Sequence, residues 1–157
     1  MGIEKDIQQE KFKSSHQKAG INIIYTASCM SLHTSHILKK FDLTPPQFNV
    51  LRILRGQHPN AITVNEIINR MLDKSSNASR IVEKLRAKDL IIRRECEQDR
   101  RQVDVSITNR GLTLLKEIDE MEDKFVFGIG SLTKEEAETL SLLLDKGRKY
   151  LETFKNK

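Results

Sequence analysis

Apolar residues recur at three- and four-residue spacing along most of this chain, the period of an α-helix with one buried stripe. Val64, Ile67, Ile68 and Met71 fall at i, i+3, i+4 and i+7, and Phe48, Leu51 and Leu54 form a similar stripe. The period returns in Ala78, Ile81, Val82 and Leu85, then in Leu112, Leu115, Ile118, Met121 and Phe125. A last helix carries Leu140, Leu143, Leu144, Leu151 and Phe154. One stretch breaks the rule. Val103, Val105 and Ile107 alternate with Gln102, Asp104 and Ser106 after a largely polar run from Glu95 to Arg101. That is the period-two pattern of a half-buried strand, and it predicts one small hairpin in an otherwise helical chain.

Local signals set the ends of these elements. Thr44, Pro45 and Gln47 spell an N-cap, a first-turn proline and the closing residue of a capping box, and Gly56 with Pro59 is expected to stop that helix. Thr63 to Glu66 and Thr133 to Glu136 repeat the box, and Thr108 is placed to cap the helix after the hairpin. Near the N-terminus, Ala19-Gly20 is the expected break between a first helix and one running from Ile21 to Lys40. Leu72-Asp73-Lys74 makes a tight connection, and a helix is expected from about Ser75 to Lys88.

Two short helices joined by a few residues form a helix-turn-helix, whose second helix fits the major groove of duplex DNA. A hairpin directly after it can lay its tip on the backbone or in the adjacent minor groove, as a wing, where arginine suits the concentrated negative potential. Opposite the apolar side of the second helix lie Ser76, Arg80, Glu83 and Ala87, flanked by Asn77 and Lys84. This side is small at its start and basic further along.

Charge strengthens that reading once it is located. The 157 residues carry a net charge of +5 and suit one domain. Between Lys74 and Arg101 there are nine Lys/Arg against five Asp/Glu, whereas from Asn109 onward nine basic residues meet ten acidic ones. Nearly all the positive excess sits with the helix-turn-helix and the hairpin, as a surface meeting a polyanion requires. A solvated surface of mixed charge is the alternative. The expected DNA contacts are Lys74, Ser75, Ser76, Asn77, Ser79, Arg80, Lys84, Arg100 and Arg101, with Asp99 shaping the wing.

In order and spacing, LTPPQFNVLRIL, TVNEIINRM, SSNASRIVEKLRAKDLIIRR and QDRRQVDVSITNRGLTLL together resemble the MarR family of bacterial transcription regulators. The most specific element is Asp99-Arg100-Arg101 followed by Ile107-Thr108 and Gly111, similar to the family's Asp-x-Arg wing and Leu-Thr-x-x-Gly helix start, with Ile107 in place of leucine. The resemblance implies a homodimer with interlocked terminal helices that binds a near-palindromic operator, usually as a repressor, and often answers to a small aromatic ligand, an oxidant or a metal. The expected fold is mainly α: a winged helix-turn-helix with a two-stranded β wing over residues 44–108, flanked by long dimerisation helices in 1–43 and 109–157, within one domain spanning 1–157. The flanking helices carry apolar stripes beyond the needs of a lobe read as complete without them, which also points to a subunit interface.

Other chemistry is less well supported. Cys29 and Cys96 make no disulfide framework, and Cys29 is expected as a buried, inert thiol. A redox-responsive regulator using Cys29 is the alternative. His33 and His36 have no Cys, Asp or Glu at ligand spacing, so no metal is expected. Tyr25, Met30, His33 and Phe48 are the expected lining of an effector pocket. Gly128-Ile129-Gly130 lacks both the third glycine and the preceding strand of a nucleotide fingerprint, and no nucleophile, base and orienter assemble, so neither a cofactor nor an enzyme is expected. The start MGIEKDIQQEKFK lacks an apolar leader and no later run is long enough for a bilayer, which predicts a cytoplasmic protein without membrane contact. Two further partners stay open. A protein-binding winged helix calls for a more apolar outer face, and a single-strand binder for aromatic platforms, which Lys74 to Arg101 lack.

Overall fold

Short polar side chains set where the helices begin. In the computed structural model, which describes residues 2–95, 103–121 and 127–154, Ser14 caps α2 (Ser15–Lys39) and Thr44 caps α3 (Pro45–Gln57). Thr63 caps α4 (Val64–Arg70), Asn77 caps α5 (Ala78–Ala87), Thr108 caps α6 (Asn109–Asp119) and Thr133 caps α7 (Lys134–Glu152). Each accepts a bond from a first-turn N–H that has no partner within the helix. At Thr44, Thr63 and Thr133 the third helical residue reaches back to complete the box. One turn of helix, α1 (Ile3–Asp6), precedes α2.

Between the helices lies an antiparallel sheet of β1 (Ile62–Thr63), β2 (Ile91–Glu95) and β3 (Val103–Ile107), in the order β1-β3-β2. Ile107 faces Ile91, and Val105 faces both Arg93 and Ile62. The hairpin is therefore present, and β1 adds a third strand to its inner edge. Two residues are too few to show a period, so Ile62 announced nothing beyond one apolar position before a cap.

Leu51, Leu54, Ile67, Val82, Leu85 and Val105 meet in the interior, each at most 2% exposed. Leu38 from α2 and Leu115 and Ile118 from α6 are equally buried in the same cluster. The core at 44–108 thus draws on both flanking segments: without Leu38, Leu115 and Ile118, one wall of the lobe would be missing. Arg55 of α3 pairs with Asp119 at the end of α6 and holds that wall from outside.

Two expectations change. Helix α2 runs through Gly20 without a break, because one glycine weakens a helix by only about 1 kcal/mol and no second breaker accompanies it. And α5 begins at Ala78 rather than near Ser75, since the side chains of the preceding residues build a turn instead. The apolar face of the last helix is present but lies open. No residue of α7 is buried, and Leu142, Leu143 and Leu151 are more than 60% exposed. Phe125 lies outside the described residues, and Phe154 follows the end of α7.

Gly111 is fixed by close approach. A methyl group there would sit 2.4 Å from the Leu90 carbonyl oxygen and 2.7 Å from Ile107 Cγ1, where α6 leaves the sheet. Gly56, inside α3, has nothing within 4 Å of the same position. One substitution should therefore act with opposite signs. Gly56→Ala is expected to stabilise by about 0.5–1 kcal/mol through helix propensity, and Gly111→Ala to destabilise by about 1–3 kcal/mol through overpacking. Urea unfolding midpoints at matched protein concentration measure both.

Candidate nucleic-acid interface

Helix α5 owes its orientation to its apolar side. Ala78, Val82 and Leu85 are buried at 3%, 2% and 0% exposure, packed against α3, α4 and β2. Because the helix turns 100° per residue, fixing that stripe leaves Ser79, Arg80, Glu83, Lys84 and Arg86 outside, and all are exposed. Asn77 accepts the Arg80 N–H at 2.9 Å and so closes the N-terminus while remaining exposed itself.

The connection from α4 is a built turn. The Leu72 N–H donates to Asn49 Oδ1 of α3 at 3.0 Å. Asp73 Oδ1 accepts the Ser75 N–H at 2.9 Å and the Ser75 hydroxyl at 2.6 Å, and Oδ2 accepts the Ser76 hydroxyl at 2.9 Å. Those bonds, the Ser75 hydroxyl first, hold the Asp73 carboxyl below its ordinary pKa. An Asp two residues before a Ser is the signature of an Asx turn and was the readable hint of this arrangement.

The cations on this surface fall into two groups. Glu83 binds Arg86 through Nη2 at 2.6 Å and Nε at 3.1 Å, and lies 3.7 Å from Arg93 on β2. The Arg86 bonds hold the Glu83 carboxyl below its usual range. Lys88 is tied to Asp42 at 2.9 Å. Among the described residues Lys74, Arg80 and Lys84 make no ion pair, so their charge faces solvent undivided. Arg80 and Lys84 are one turn apart on the same side.

Of the expected DNA contacts, Lys74, Ser75, Asn77, Ser79, Arg80 and Lys84 are exposed on one continuous stretch, and Ser76 is half-buried there. Asp99, Arg100, Arg101 and Cys96 lie outside the described residues. The expected pocket residues are more scattered. Tyr25 and His33 are exposed on α2 and Met30 is half-buried, whereas Phe48 is 4% exposed with the Arg52 guanidinium 5.6 Å over its ring. Arg52 also covers Phe127 at 5.8 Å. A cavity of about 580 Å³ opens elsewhere, where Phe41, residues Lys88–Leu90 just after α5 and Leu114 of α6 meet. Cys29 is exposed, not buried, because it sits on the side of α2 turned away from the core. One turn before it, the Tyr25 phenol is pushed up, chiefly by the electrostatic effect of the neighbouring Cys29. No group of three or more potential ligands that could hold a metal occurs among the described residues, and no helix among them is long and apolar enough to cross a membrane.

Residues 41–102 match the family model described as the MarR family. Over 114 residues, 73% of this chain and 76% of its relative, the sequence is 31% identical to the HTH-type transcriptional regulator MgrA of Staphylococcus aureus. The chain belongs to the MarR family. A second relative, the HTH-type transcriptional regulator MhqR of Bacillus subtilis, is 31% identical over 135 residues, covering 80% of this chain and 86% of MhqR. The fold is that of solved MarR-type proteins. AbsC, a MarR family transcriptional regulator from Streptomyces coelicolor, aligns with a TM-score of 0.75 at 17% identity, covering 92% of this chain and 99% of AbsC. The S. aureus MepR–DNA complex aligns at 0.71 and 23% identity, covering 89% and 99%. The MarR-family match spans α3, β1, α4, α5 and β2 and so includes Lys74, Arg80 and Lys84.

Glu83 offers a direct check on the electrostatics of this face. Glu83→Gln removes an acidic charge and releases Arg86 and Arg93, so it is expected to tighten binding to duplex of any sequence and to steepen the fall of log K with log salt. Filter-binding titrations at several salt concentrations measure both.

Proposed function

We propose that this chain is a sequence-specific, double-stranded DNA-binding transcriptional regulator that acts in the cytoplasm as a homodimer on a near-palindromic operator, as a ligand-responsive repressor. The observation that carries the reading is the outward face of α5. There Arg80 and Lys84 make no ion pair among the described residues and lie beside a capped helix N-terminus, while the opposite side of the helix is locked in the core. A helix held this way can enter a major groove without rearranging, and its basic side then meets base edges and phosphates. The same face speaks against a protein-binding winged helix, since Ser79, Arg80, Glu83 and Lys84 offer no apolar anchor for a partner.

The homodimer is supported by apolar surface that one chain leaves open. Ile24 and Leu32 on α2 and Leu142, Leu143, Tyr150 and Leu151 on α7 are each more than 60% exposed. Buried between two copies, these helices set the separation of the two α5 helices, which must meet half-sites about 34 Å apart. An effector, proposed as a small aromatic molecule near Tyr25, Met30, His33 and Phe48, would act by favouring one separation over another, only as far as its affinities for the two arrangements differ. Repression follows when the bound dimer covers a promoter.

Gel shifts with a selected duplex, an unrelated duplex and single-stranded DNA test the reading, with the selected duplex expected to bind far more tightly than the others. Equal binding of all three would remove it. Light scattering should give twice the chain mass at micromolar concentration; a monomer that still binds its operator would contradict the dimer. Arg80→Ala is expected to lose about 1–3 kcal/mol of discrimination at one position in each half-site. Arg101→Ala, at a position expected from the sequence to belong to the wing, should weaken selected and unrelated duplex alike and flatten the salt dependence. Binding to single-base operator variants at several salt concentrations separates the two.

A further inference from the structure

Asp73 sits on the wrong side of an electrostatic argument. Its carboxylate is exposed on the surface that carries Lys74, Arg80 and Lys84, where a negative charge repels DNA. Its bonds explain what it supplies instead. An ionised carboxylate can only accept, so the contacts at 2.6 Å from the Ser75 hydroxyl and 2.9 Å from the Ser76 hydroxyl have a fixed direction: each serine gives Asp73 its single proton. What the two hydroxyls keep for any other partner is lone pairs. The turn is held from behind as well, by the Leu72 N–H on Asn49 and by Met71 in the core, so this polarity is built before any ligand arrives.

We infer that Asp73 is a positioning residue for DNA discrimination: by taking the protons of Ser75 and Ser76 it makes both serines acceptors, suited to the exocyclic amines of adenine and cytosine in the major groove and unsuited to phosphate oxygens. The inference rests on the DNA-binding reading above and adds a division of labour to it. Lys74, Arg80 and Lys84 supply charge, while the acidic turn gives up some general affinity and returns selectivity for amine-bearing edges.

The test compares the duplex that the wild-type protein selects from a randomised pool with an unrelated duplex, for wild type, Asp73→Asn, and a double variant with Ser75→Ala and Ser76→Ala. Asp73→Asn is expected to bind unrelated duplex as tightly as wild type or more so, and the selected duplex more weakly, so that the ratio of the two affinities falls by about tenfold. The double serine variant keeps the acidic charge and should lose the same ratio without the gain on unrelated DNA. If Asp73→Asn raises both affinities together, the carboxylate is only a repulsive charge. If it lowers both with the ratio intact, it only shapes the fold. A double serine variant with an undiminished ratio would also overturn the inference. Failure of the wild type to distinguish the two duplexes would overturn the DNA-binding reading first, and this inference with it.

Discussion

The burial of Val82 and Leu85 is the constraint on which the rest of this molecule depends. A helix of ten residues has little stability of its own, and α5 exists because its apolar stripe closes the core formed by α3, α4 and the sheet. Once that stripe is fixed, the direction of every other side chain on α5 follows from helical geometry. Arg80 and Lys84 face outward for the same reason that Val82 faces in. The direction of the α5 face is therefore set by core packing. Asn77 and Asp73 add the one thing packing cannot supply, a defined conformation where the chain enters the helix.

The same economy explains the apolar surface left over. The core takes Leu38 from the end of α2 and Leu115 and Ile118 from α6, but it reaches no residue of α7 and little else of α2. A chain of this size that exposes Leu32, Leu142 and Leu143 has more apolar helix than one core can cover. In a homodimer the excess becomes the scaffold that sets the spacing of two α5 helices. Leu115, Ile118 and the Arg55–Asp119 pair join α6 to the core, and in the proposed dimer α6 would carry a shift of the scaffold to the lobe that holds α5.

Much of this was legible in the sequence wherever the governing interaction is local. The boxes at Thr44, Thr63 and Thr133 are written in four residues each, and the stripes of α3, α4, α5 and α6 are written in their spacing. Gly111 follows Thr108 by three residues, though its reason, contact with Leu90 and Ile107, is tertiary. What escaped depends on partners distant in sequence or on competition. β1 exists because Ile62 meets Val105, more than forty residues away. The start of α5 was misjudged because Asp73 competes for Ser75 and Ser76, so helix propensity alone set it too early. Gly20 looked like a break because its local penalty was weighed without the continuous helix on either side. Among the cations, helical spacing already set Arg80 apart from Arg86, but the bonds that tie Arg86 to Glu83 are seen only in the structure.

The central claim is that two outward faces of α5, carried by two copies of the chain, enter successive major grooves on one side of the duplex. Methylation interference at guanine N7 probes it most directly, because that atom lies on the major-groove edge. The account predicts two clusters of interfering guanines in the selected duplex, centred about one helical turn apart on the same face. A single cluster, or binding indifferent to major-groove methylation throughout the footprint, would contradict it.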